Sequence, residues 1–82
     1  MNSYKTYGVC SRQINFEVVD GKVTNVSFVG GCNGNLQGLG ALVEGMDVDD
    51  AIARLQGISC NGRPTSCPDQ LAQALLKYKA SL

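Results

Sequence analysis

From Gln13 to Val19 apolar and polar residues alternate, with Ile14, Phe16 and Val18 set against Gln13, Asn15 and Glu17. That is the period of a strand with one buried face. Asp20-Gly21 is a turn signal, and Lys22 to Val29 supplies a partner strand with Val26 and Phe28 on one parity. A two-residue loop would set Phe16 opposite Asn25. An odd loop with a glycine bulge instead gathers Ile14, Phe16, Val18, Val26 and Phe28 on one face, so the pattern predicts the odd loop. Upstream, Tyr4 to Val9 reads as a short, polar-leaning edge strand. In this register Cys10 and Cys32 are about equally far from the turn, and they are expected close together at the open end of the hairpin.

After Cys32 the period changes. Asn33-Gly34-Asn35 reads as a turn and N-cap, and Leu36, Leu39, Leu42 and Val43 follow helical spacing to a stop at Gly45. Gly38 and Gly40 cost helix propensity, which predicts close backbone approach to the sheet or to a partner. Asp47 is expected to cap a second short helix with Val48, Ala51, Ile52 and Leu55 as its apolar stripe, ended by Gly57. Ser66 with Asp69 three residues on resembles a capping box, and Pro68 suits a first helical turn, where its missing N–H does no harm. Leu71, Ala74, Leu75, Tyr78 and Leu82 make this last helix amphipathic. Tyr4 and Tyr7 read as packing residues.

Strands followed by helices over 82 residues predict one domain, residues 1–82, of α+β class. The expected architecture is a two- or three-stranded antiparallel sheet packed on one face by three helices. Seven basic and seven acidic residues cancel, which leaves no electrostatic footprint for nucleic acid or an anionic membrane. Neither a signal-peptide pattern nor a membrane-length apolar run is evident, so the expected location is the cytoplasm.

The chemistry-bearing residues are four cysteines, with no histidine in the chain. The missing imidazole removes Cys-His and Ser-His nucleophilic pairs and mixed Cys/His metal sites. In a reducing compartment four cysteines point to metal binding or redox work rather than permanent bridges. Cys10 opens the hairpin, Cys32 ends a strand before a helix, Cys60 follows one helix, and Cys67 begins another, where free backbone N–H groups favour an anionic sulfur. These junctions are expected on one rim, although no C-x-x-C pair is present. Arg12 and Arg63 lie near Cys10 and Cys60 in sequence and would offset thiolate charge. Against this stands the plainer reading of each cysteine as a small buried hydrophobe. The glycines at 30, 31 and 34 suit turns better than an anion nest, and Asp47, Asp49 and Asp50 suit a helix start better than a divalent-metal site.

At Thr65-Ser66-Cys67-Pro68-Asp69 the chain resembles the TSCPD-domain family, named for these five residues. The resemblance extends to Gly8-Val9-Cys10-Ser11, Gly30-Gly31-Cys32-Asn33-Gly34-Asn35, Leu55-Gln56-Gly57-Ile58-Ser59-Cys60 and Gln70-Leu71-Ala72. Members of that family are short stand-alone bacterial proteins or C-terminal modules of adenosylcobalamin-dependent ribonucleotide reductases. Reductase chemistry needs a large barrel, a radical source and a nucleotide pocket, so the resemblance implies an accessory module and not an enzyme acting alone. A fainter similarity is to iron–sulfur cluster scaffold proteins, and it implies ligand roles for Cys10, Cys32 and Cys67. This chain departs from them in having no histidine beside the last cysteine and no aspartate beside the first.

The leading expectation is a small metal-binding domain with Cys10, Cys32, Cys60 and Cys67 as ligands for zinc or an iron–sulfur cluster, and a fold like that of the scaffold proteins. A ribonucleotide reductase or another protein is the expected partner. The alternatives are a thiol–disulfide partner of such a reductase, cycling Cys60 and Cys67, and a plain interaction domain with inert cysteines.

Overall fold

The computed structural model describes residues 2–9, 11–31, 33–59, 62 and 65–82. Three strands, β1 (Asn2–Lys5), β2 (Ser11–Val19) and β3 (Lys22–Gly30), precede three helices, α1 (Asn33–Val43), α2 (Val48–Leu55) and α3 (Cys67–Ala80). The sheet is antiparallel throughout, in the order β1-β2-β3. The α+β architecture is therefore the expected one, with three strands. The edge strand, however, covers Asn2–Lys5 and not Tyr4 to Val9. Thr6 and Tyr7 already belong to the connection, which turns at Gly8 with φ of +70°, and Tyr7 is exposed rather than packed.

The predicted odd loop is not there. Val19 pairs with Lys22 and Val18 with Val23, so Asp20-Gly21 is a two-residue turn, with both residues at positive φ (53° and 75°). The extra residue sits in β3 instead. Glu17 pairs with Thr24 but Asn15 with Ser27, and Asn25 takes the left-handed conformation at φ +53°. This bulge switches the inward parity from Val23, which is fully buried, to Val26 and Phe28, which pack against the core. The face that the alternation predicts is thus largely recovered by a different route, with Val23 added. A second register shift, between Ser11 and Gln13, turns Ser11 inward where strict alternation from Ile14 would have buried Arg12.

The core joins Ile14, Phe16 and Val23 of the sheet to Val43, Val48, Ala51, Ile52, Leu71, Ala74 and Leu75 of the helices. Phe16 meets the Tyr78 ring edge-on at 6.2 Å. Gly40 of α1 faces β3 so closely that a Cβ there would lie 3.1 Å from the Val26 carbonyl oxygen, as the helix glycines predict; Gly38 faces open space. Two apolar residues assigned to buried stripes are outside them. Leu42 is 77% exposed because α1 meets the core through Leu36, Leu39 and Val43, and Leu82 is 85% exposed because α3 stops at Ala80. Helix α1 begins at Asn33, so Gly34 and Asn35 are inside it and not in a preceding turn. Asp47 holds the N-cap position of α2 without a side-chain cap, because its carboxylate pairs with Lys22 at 2.7 Å. Among the described residues no helix is long and apolar enough to cross a membrane.

Candidate thiol site

Helix α3 starts as its sequence requires. Ser66 is extended (φ −149°, ψ 171°), and its side chain accepts the Asp69 N–H at 3.1 Å. The same hydroxyl donates to the Ile58 carbonyl at 2.6 Å. The return arm of a capping box is diverted, since the Asp69 carboxylate goes elsewhere. One oxygen accepts the Gly57 N–H at 2.7 Å and the other accepts the Thr65 hydroxyl at 2.5 Å. Burial pushes the Asp69 carboxyl up, but hydrogen bonds from Thr65, Gly57 and Gln73 outweigh it and hold the group below the usual carboxylate range.

Gln70 extends the network. Its amide nitrogen donates to Thr65 Oγ1 at 2.9 Å, and its amide oxygen accepts the Tyr7 N–H at 3.1 Å. One helical turn therefore anchors both the chain leaving α2 and the connection between β1 and β2. Within that connection Thr6 N–H donates to the Arg12 carbonyl, and its hydroxyl donates to the Ser11 carbonyl at 2.5 Å. Ser11 pairs with Gly30 across the sheet. Gly31 follows at φ +83°, and a Cβ on it would lie 2.8 Å from Leu36 Cδ1 and 3.0 Å from the Ser11 nitrogen. Only glycine fits there.

Cys67, the first residue of α3, is a free, partly exposed thiol whose Sγ is 3.3 Å from the Ser11 hydroxyl. Cys10, Cys32 and Cys60, together with Arg63, are outside the described residues. Arg12 is exposed. No group of three or more metal-ligating side chains occurs among the described residues. Asp49 bonds Lys79 and Asp47 pairs with Lys22, so two of the three carboxylates at the start of α2 are engaged in ion pairs. A cleft of about 580 Å³ lined by Val18, Asp20, Asp47, Tyr78 and Lys79 is at the other end of the molecule. Tyr78 is eleven residues along α3 from Cys67, about 16 Å at 1.5 Å per residue, so the cleft is not part of the thiol site.

Sequence reasoning assigned no role to Ser11, Thr6 or Gln70 and gave Asp69 only a capping one. The available signal was the density of polar residues around Thr65-Ser66-Cys67-Pro68-Asp69-Gln70, of which Ser66, Asp69 and Gln70 end up buried.

The arrangement defines a small α+β domain with a thiol at the head of its last helix, framed by a hydrogen-bonded Thr, Ser and Asp. The TSCPD domain family model matches residues 2–79, and the chain belongs to that family. No curated protein and no solved structure matches the chain.

Proposed function

We propose that this TSCPD domain is an accessory metal-binding module in which Cys10, Cys32, Cys60 and Cys67 hold zinc or an iron–sulfur cluster. The observation that supports this reading is the convergence of the cysteines' described neighbours on the first turn of α3. Ser11, next to Cys10, is in contact with the Cys67 sulfur. Gly31, next to Cys32, lies against Ser11. Ile58, two residues before Cys60, is hydrogen-bonded to Ser66. Consecutive Cα atoms are about 3.8 Å apart, so one or two residues from these anchors is within reach of a shared ion. With no histidine in the chain, an all-thiolate site suits zinc or a cluster. Family resemblance suggests a ribonucleotide reductase as the partner that such a module serves.

Anaerobic purification without chelator, followed by elemental analysis and a visible spectrum, tests the reading. Stoichiometric zinc or iron, lost on single Cys→Ala substitution, is the expected result. Substoichiometric metal that the substitutions leave unchanged would overturn it. The partial exposure of Cys67 at a helix N-terminus favours one second reading, thiol–disulfide exchange with Cys60. That reading predicts turnover in a thioredoxin-coupled assay, abolished by Cys60→Ser; four equally sluggish thiols would exclude it.

A further inference from the structure

We infer that the outer side of α1, with the recess between α1 and α2 beside it, docks a second copy of this chain, the Leu42 side chain of each copy entering the recess of the other. The inference uses no cysteine and stands apart from the metal reading. Helix α1 carries no charged residue. Its inner side is spent on the domain: Leu36 is buried, and Gly40 lets the helix close on β3 at Val26. Its outer side is not. Gly38, Ala41 and Leu42 are exposed, Leu42 to 77%. Beside Leu42 a recess of about 240 Å³ opens between the two helices, lined by Leu39, Leu42, Val43, Met46, Arg54 and Leu55, with Arg54 its one charged residue.

Gly38 points the same way. A glycine inside a helix destabilises it relative to alanine. Gly40 offsets this by its close approach to the Val26 carbonyl, whereas a Cβ on Gly38 would meet nothing within 4 Å. Gly38 lies one turn before Leu42 on the same side of the helix, so it leaves clearance for a neighbouring helix next to the projecting leucine. A knob and a hole side by side on one face suit an isologous contact, in which a two-fold axis presents the face to itself. That axis also sets charges near it against their own like, which opposes association, and an uncharged helix avoids the repulsion. A different protein would require neither property. With 11 residues, α1 is about 16 Å long. Contact along one such helix is smaller than the roughly 800 Å² per partner of a stable complex, so the dimer is weak and dilute protein is monomeric.

Sedimentation equilibrium under reducing conditions, from micromolar to millimolar protein, tests this on wild type, Leu42→Glu and Gly38→Leu. Val19→Glu, at another exposed apolar residue, is the control. Wild type is expected to pass from monomer to dimer across the series. Leu42→Glu sets a carboxylate against the apolar recess of the other copy, and Gly38→Leu fills the clearance. Each should raise the dissociation constant at least about ten-fold, and Val19→Glu should leave it unchanged. The single chain has room at Gly38, and leucine is the better helix former. The unfolding midpoint of dilute Gly38→Leu should therefore stay at or above that of wild type while its association is lost, a split that damage to the fold would not produce. A wild type that stays monomeric throughout would overturn the inference and leave the face to a different protein. Dimers that Leu42→Glu and Gly38→Leu both retain, or that Val19→Glu weakens as much, would overturn it by removing the contact from this face.

Discussion

At the Asp20-Gly21 end of the sheet the chain is closed by its own backbone. Val23 donates to Met46 and Gly45 to Val23, at 2.8 and 2.7 Å, and Val48 donates to Gly21 at 2.9 Å. The charges there, Lys22 with Asp47 and Lys79 with Asp49, form exposed pairs. At the Ser11–Gly30 end the ties are mostly side chains: Thr6, Ser66, Asp69 and Gln70 reach across to carbonyls and N–H groups of other segments. Backbone closure tolerates almost any side chain, whereas side-chain closure depends on which residue is present. The thiol end is therefore the end at which substitution and acid should be felt.

The largest contrast should come from Gly31→Ala. Left-handed backbone and overlap with Leu36 and the Ser11 nitrogen together should cost about 2–4 kcal/mol, read by urea denaturation. Next is Asp69→Asn, which removes a buried carboxylate that accepts from Gly57 and Thr65, at an expected cost of about 2–3 kcal/mol. This variant also tests the pH dependence. The folded-state pKa of Asp69 is lowered, so its contribution is present above the unfolded value of about 3.9 and is lost as pH falls through the folded one. Wild type should lose stability along that acid limb, and Asp69→Asn should show a shallower one; parallel limbs would assign the acid sensitivity elsewhere.

Ser66→Ala removes the helix cap and the bond to Ile58, for an expected loss of about 1–2 kcal/mol in the same denaturation assay. Gly38→Ala is a control of opposite sign. The residue is helical with open space beyond it, and a gain of about 0.5–1 kcal/mol is expected. Smallest of all is Lys22→Ala at the turn end, where the ion pair is solvated and the melting temperature should stay within the scatter of wild type. A clear drop there would break the contrast between the two ends.

Much of the fold was readable from local pattern, and the exceptions share a cause. Alternation at Ile14, Phe16 and Val18 identified the inner face of β2, and Ser66 with Asp69 identified the start of α3. Neither depends on distant parts of the chain. The position of the parity change was not readable, because one extra residue in the turn or in the strand gives nearly the same apolar face. Asn25, tolerant of left-handed backbone, was the clue that favoured the strand. Leu42 misled because helical spacing specifies an arc wider than the part of it that α1 buries.

By itself the sequence determined the class of fold, the number and order of the helices and the thiol at the head of the last helix; of the two helix glycines it marked for close approach, the structure puts only Gly40 against the sheet. These follow from periodicity, capping and propensity, which act over a few residues. Tertiary structure decided that the Asp69 carboxylate reaches Gly57, that Gln70 holds Tyr7, and that Ser11 rather than Arg12 faces Cys67. Each of these joins residues brought together only after the sheet and helices have packed. The energy that selects them comes from satisfying polar groups that packing has already taken out of water.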